Sequence, residues 1–242
     1  MDIIVTGATG GIGHCLVKCG IEDNNIENIY CLYRNQQKFD GYFKQQSLKL
    51  VLEKYDASFM RDNSSTIQEL YKNRPQYLTC IFTMFSIYPI KKIGTYSSNE
   101  LKNNININIL DQVMFINWLI ELKKCCNVQL KLINIDSGAA YKPLEGWSLY
   151  SASKAYINMF LKTIQIENSD IKIVTYEPGV VDTQMQEQIR NTDRKIFRQA
   201  EKFCEYYDKK LLHNPMEIAK DIWKRYVVDW EGINFREGYD IG

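Results

Sequence analysis

Charge of one sign is what this chain lacks most. Thirty lysines and arginines stand against 29 aspartates and glutamates in 242 residues, a net charge of +1. That balance excludes the electrostatic route to a nucleic acid or an anionic bilayer. Long apolar runs are also missing: a membrane-spanning helix takes about 20 such residues, and the best stretch, QVMFINWLI, is broken by Asn117. The chain opens on MDIIVTG, with no basic segment and no leader-type apolar core ahead of the first strand-like run, so a soluble cytoplasmic protein is expected. The seven cysteines are odd in number and include no C-x-x-C pair, which excludes a short disulfide framework and reads as reduced thiols. With His14 and His213 the only histidines, no metal site is expected, and Cys15 and Cys19 read as packing residues. No internal repeat is present.

What is there is alternation. Short β-branched runs (DIIV, NIYCLY, LKLVLEKY, YLTCIFT, VQLKLINI, IKIVTY and a weak last one near NFREGYDI) alternate with helical periods at 11–22, 62–73, 99–124, 148–168 and 215–229. Strands separated by helices imply right-handed crossovers. The expected fold is therefore α/β: one domain over 1–242, a doubly wound parallel sheet of about seven strands with helices on both faces. Asn214 followed by Pro215 marks the start of the last helix. Residues 182–213, charged and aromatic, interrupt the rhythm after the sixth strand. They read either as a cover over a site or as a surface helix pair with aromatic contacts to the core. The asparagine-rich NNININI at 103–109 reads as compositional bias.

Four clusters carry chemistry. TGATGGIG, Thr6 to Gly13, follows the first strand and opens the first helix. Glycine there permits a tight turn and lets backbone N–H groups approach a pyrophosphate at the helix N-terminus, which makes Gly7, Thr9, Gly10, Gly11, Ile12 and Gly13 candidate dinucleotide contacts. Arg34 stands just past the second strand, where an acid would select a free ribose 2′-hydroxyl and an arginine accommodates a 2′-phosphate. NADP(H) is therefore expected over NAD(H), with Asp56, after the third strand, near the adenine.

The third cluster is Ser137, at the end of LINIDS, with Tyr150 and Lys154 in WSLYSASK. Residues four apart share a helix face, so a phenol and an ammonium stand side by side, and the lysine is expected to bring the phenol's acidity toward neutrality. Ser137 and Tyr150 together would grip a carbonyl oxygen. The fourth, TYEPGVVDTQM, turns sharply at Pro178 and Gly179 and offers the backbone near Val181 and the Thr183 hydroxyl to a nicotinamide.

These residues resemble the short-chain dehydrogenases/reductases over essentially the whole chain, through T-G-x-x-x-G-x-G, Ser137, Y-x-x-x-K and P-G. INIDSGAAYKPLEGWSLYSASKAYINMF and PGVVDTQMQEQIR are similar to the sepiapterin reductase and benzil reductase branch. The resemblance implies an NADPH-dependent reductase of a small ketone or dicarbonyl, with Tyr150 as proton donor and Ser137 polarising the carbonyl. It implies that Lys154 lowers the phenol's pKa and binds the nicotinamide ribose. Asn108 would support a proton relay, with Asn104 and Asn106 as competitors for that part. It also implies a homodimer or homotetramer built on the long helices. The chain departs from the family where Asn-Asn-Ala-Gly is usual: FTMFSIYP at 82–89 puts Phe85 or Ser86 at the glycine. Thr9 and Gly10 replace the loop's basic residue, leaving Arg34 to carry the NADP preference, and Asp240 is the nearest C-terminal acid for a pterin. The altered strand-four segment keeps open a second possibility, a non-catalytic NADP(H)-responsive binding protein on the same fold.

Overall fold

Residues at alternate positions of a strand face opposite sides of its sheet, so a strand buried throughout needs a layer on each side. Asp2–Thr6 (β1) and Ile29–Tyr33 (β2) are buried at every position. Leu50–Lys54 (β3), Tyr77–Phe82 (β4), Gln129–Ile135 (β5) and Lys172–Glu177 (β6) complete the body of the sheet, and Glu237–Gly238 (β7) adds a two-residue edge. The order is β3-β2-β1-β4-β5-β6-β7, every neighbouring pair parallel. The expected seventh strand is thus reduced to a short pairing with Tyr176 and Glu177, and six strands make the working sheet. The computed structural model describes residues 1–34, 36–43, 49–54, 65–230 and 237–238, which leaves Asp56 and Asp240 outside the described residues.

The helices are Gly11–Glu22 (α1), Gln36–Tyr42 (α2), Ser65–Asn73 (α3), Ser98–Ile105 (α4), Asp111–Cys126 (α5), Ser148–Glu167 (α6), Gln184–Arg190 (α7), Ala200–Asp208 (α8) and Pro215–Ile222 (α9). A π-helical turn, Asn106–Leu110, joins α4 to α5, and another, Trp223–Val228, extends α9. Ile3 and Val5 belong to the core under α1 and α9, with Leu16, Val17, Ile218 and Ile222. Ile4 faces the other way, into the core formed with Phe115, Leu119, Ile157 and Leu161 of α5 and α6. The Asn214 side chain accepts from the Met216 N–H at 2.8 Å, with Pro215 in the first turn, as the sequence predicts. Helix α2 has no sequence signal of its own, because its apolar content is too short to show a period. It is seated by aromatic contacts, Phe39 lying 5.0 Å from Tyr33 and 4.7 Å from Phe43 between ring centroids. Among the described residues no helix is long and apolar enough to cross a membrane.

The asparagines at 104 and 108 correct the expectation of mere compositional bias. Asn104 Nδ2 donates to the Tyr88 carbonyl at 2.8 Å. Asn108 accepts from the Ser86 N–H and donates to the Ser86 carbonyl, both at 2.8 Å, and Gln112 donates to the Met84 carbonyl at 3.2 Å. Four helical residues rise about 6 Å and two residues of extended chain cover about 6.6 Å. Helix positions four apart therefore meet alternate residues of the segment leaving β4. A side-chain ladder pins that segment, and each of its three rungs depends on an amide at that position.

Candidate functional site

In a parallel sheet the chain leaves each strand at the same edge, and where winding reverses, between β1 and β4 here, the two exits diverge and open a crevice. Thr83 closes its base: its N–H donates to Thr6 Oγ1 at 3.2 Å and its hydroxyl to the Thr6 carbonyl at 2.6 Å. The cavity above has a volume of about 790 Å³, within the range of small-molecule and cofactor sites.

Gly7, Thr9, Gly10, Gly11, Ile12 and Gly13 line this cavity. Gly7 has φ +67°, a left-handed conformation that side chains disfavour. A methyl group on Gly13 would lie 2.2 Å from the Gly7 carbonyl oxygen, and one on Gly11 would lie 2.3 Å from Thr183 Cγ2. The turn is thus closed to anything larger than glycine at these points, as a backbone cradle for a pyrophosphate demands. Arg34 lines the same cavity, as do Pro178, Gly179, Val181 and Thr183. The strand-six exit is held by His213, whose N–H donates to the Val180 carbonyl while its carbonyl accepts from the Asp182 N–H, both at 2.9 Å. Residues 182–213 therefore leave and return at one point. Between those ends stand α7 and α8, with Met185, Gln186 and Ile189 of α7 in the cavity wall. The segment is both a helix pair with aromatic contacts and a wall of the site: Trp147 stacks on Phe197 at 5.0 Å and on Phe203 at 5.8 Å.

Ser137, Tyr150 and Lys154 open onto the same cavity. Ser137 follows β5 and its hydroxyl accepts from the Ala139 N–H at 3.2 Å. Tyr150 and Lys154 lie one turn apart near the start of α6, 6% and 2% exposed. Burial pushes the Tyr150 phenol well above its ordinary pKa; a hydrogen bond with Ser137 opposes the rise and the Asp136 carboxylate adds to it. The lowering expected from Lys154 is not found: the influences on the phenol are burial, Ser137 and Asp136. The lysine head is turned aside, its Nζ 5.8 Å from the Tyr150 ring centroid and donating to the Ile135 carbonyl at 2.5 Å. Burial brings Lys154 itself down to about 7, with the Asp136 charge working against the fall.

Asn108, fully buried, bonds the backbone of Ser86 in the cavity wall, while Asn104 holds Tyr88. Among the residues that the sequence pattern does not assign to the site, His14, Lys38, Asp136 and Trp147 also line the cavity. Lys38, four residues beyond Arg34, donates to Gln184 of α7. Its signal is the spacing from Arg34, visible once α2 is known. Asp136 accepts from Asn158 at 2.8 Å and from the Tyr141 hydroxyl at 3.1 Å, while its other oxygen is buried without a partner. Its place beside Ser137 is the available clue.

A parallel sheet with a glycine turn at its switch point defines the Rossmann class of α/β folds, and here a Ser, Tyr and Lys group faces the same crevice. The chain belongs to the short-chain dehydrogenase family, whose model, described as short chain dehydrogenase, matches residues 2–194. It is 30% identical over 224 residues to the benzil reductase ((S)-benzoin forming) of Bacillus subtilis, covering 89% of each chain. A 61-residue stretch, 25% of this chain and 23% of that one, is 39% identical to the sepiapterin reductase of Bos taurus. Among solved structures, a short chain dehydrogenase/reductase from Saccharomyces cerevisiae superposes with a TM-score of 0.84 at 21% identity, over 99% of this chain and 96% of that one. A serine dehydrogenase complexed with NADP+ gives 0.78 at 19%, over 99% and 94%. At these identities the structural matches establish the fold.

Proposed function

We propose that the protein is an NADP(H)-dependent carbonyl reductase acting on a small ketone or dicarbonyl of the benzil or sepiapterin type. The observation that carries this reading is the opening of the glycine turn and of Ser137, Tyr150 and Lys154 onto one cavity. The glycine cradle fits a pyrophosphate, and Arg34, with Lys38 of α2 lining the same cavity, fits a 2′-phosphate. Similarity to a benzil reductase along most of both chains supports the substrate class, and a structural neighbour complexed with NADP+ supports the cofactor.

When bound, the reduced nicotinamide supplies a hydride to the carbonyl carbon. Ser137 donates a hydrogen bond to the carbonyl oxygen, and Tyr150 delivers the proton that makes it a hydroxyl. A phenol held above its ordinary pKa stays protonated at neutral pH, the form a proton donor needs for reduction. Lys154 supplies positive charge that stabilises the phenolate left behind, and Asn108 holds the Ser86 segment that walls the site. Residues 182–213 act as the cover, and Ile87, Trp147, Met185 and Ile189 give the substrate side apolar walls suited to an aromatic or aliphatic ketone. The exposed Ile105, Leu110 and Met114, with Tyr156 and Met159 of α6, support a homodimer or homotetramer. Seven free thiols support a cytoplasmic setting.

A non-catalytic, NADP(H)-responsive binding protein remains the competing reading, favoured by the Phe85 ring that sits on Lys154. Oxidation of NADPH and NADH, followed by absorbance with benzil, sepiapterin and simple ketones, separates the two. NADPH consumption with a dicarbonyl is expected; binding of NADPH without consumption across the panel would overturn the reductase reading.

A further inference from the structure

The Lys154 head has two close partners in the structure. One is the Ile135 carbonyl, and the other is the face of Phe85, whose ring centroid lies 3.1 Å from Nζ. Phe85 is one of the two residues, with Ser86, that stand where the family resemblance calls for glycine, and it is not loosely placed. Gln112 holds the carbonyl of Met84 on one side of it, and Asn108 holds both backbone groups of Ser86 on the other. Two adjacent rungs of the ladder thus fix the backbone on either side of Phe85, and the ring is carried onto the ammonium.

We propose that Phe85 is a positioning residue for the proposed reaction: its ring face seats the buried Lys154 ammonium and favours its charged form. It rests on the reductase reading of the site for its consequence, although the contact itself does not. An aromatic face attracts a cation through its quadrupole, and the attraction grows when both partners are withdrawn from water. Lys154 is 2% exposed, so burial penalises its charge and the ring opposes that penalty. The charged and titratable groups that face it are Asp136, just beyond β5, and Tyr150 on α6. Residues 83–90, leaving β4, and the π-helical turn at 106–110 carry only neutral side chains, among them Met84, Ser86, Ile107 and Asn108. Of the partners in contact with the ammonium, the ring is the one that a side-chain replacement can tune without altering the backbone.

The test reads Lys154 directly. The cofactor-free protein labelled with [13Cε]lysine is titrated by NMR, with the Lys154 resonance assigned by its loss in Lys154→Met. Phenylalanine at position 85 is replaced by mono-, di- and trifluorophenylalanine, which weaken the quadrupole stepwise at nearly constant shape and so leave folding intact. The wild-type midpoint is expected near 7, falling progressively by about one pH unit across the series. Phe85→Tyr, which keeps the face, should titrate near wild type. The pH profile of kcat/KM should move with the midpoint. A Lys154 midpoint indifferent to fluorination overturns the proposal. If the wild type consumes no NADPH but the midpoint tracks fluorination, the reductase reading falls and the role of Phe85 in seating Lys154 stands. If NADPH is consumed but the midpoint stays put, the reductase reading stands and the role of Phe85 falls.

Discussion

The side-chain amide of Asn108 brackets the backbone of Ser86, accepting its N–H and donating to its carbonyl, each at 2.8 Å. This doubly bonded contact joins the helix layer to the segment that walls the site. Asn108→Leu leaves two backbone groups of Ser86 unpaired, a cost of about 2–4 kcal/mol. The melting temperature should drop and turnover with it. Asn106, in the same turn but half-buried, should tolerate alanine within about 0.5 kcal/mol. Equal losses at the two positions in thermal unfolding would contradict the ladder.

Tyr150→Phe removes the proposed proton donor and keeps the ring. A loss of roughly 10²-fold or more in kcat is expected, with NADPH affinity, followed by nucleotide fluorescence, close to that of the wild type. Retention of most of the turnover would remove Tyr150 from the mechanism.

Gly11→Val places a branched side chain against Thr183, where even the first carbon would approach Cγ2 to 2.3 Å. The strand-six exit must shift and the pyrophosphate cradle narrows. NADPH dissociation constants should rise at least about tenfold, by about 1.4 kcal/mol, measured by fluorescence titration against a circular-dichroism check of folding.

Arg34→Ala combined with Lys38→Ala should erode the preference for NADPH over NADH, because both side chains line the nucleotide cavity beside α2. The ratio of kcat/KM for the two cofactors is the readout. A ratio equal to that of the wild type would remove these residues from 2′-phosphate selection.

Lys154 carries a pH signature. Its folded-state pKa is depressed to about 7, so between that pH and the ordinary lysine range the unfolded chain binds the extra proton and stability rises with pH. The penalty is present in full below about 7 and fades toward the usual lysine value. Lys154→Met, which removes it, should be stabilised relative to wild type at pH 6 and lose that advantage as the pH approaches about 10. Denaturant unfolding across that range checks the sign.

Much of this was legible in the sequence because the decisive signals are local. A glycine turn after an apolar strand, a Y-x-x-x-K spacing on a helix and Asn214 ahead of Pro215 each carry their geometry within a few residues. What was not legible arises from contacts between segments distant along the chain. Phe85 is 69 residues from Lys154 in the numbering, and nothing local says that its ring will lie on the ammonium. Asn104 and Asn108 look like repetition until Tyr88 and Ser86 are seen opposite them. The raised phenol of Tyr150 escapes the sequence for a related reason: pairing charge is a matter of spacing, whereas desolvation depends on everything packed around the site.

Trp147 stacks on Phe197 and Phe203 and sits edge-on to Tyr150 at 5.7 Å between ring centroids. The excursion between residues 182 and 213 and the first turn of α6 therefore share an anchor. Entry of a bulky guest that lifts the excursion must tug on the same indole that abuts the phenol. In the proposed reaction, loading of the pocket and the aim of the phenol would be coupled through that one indole.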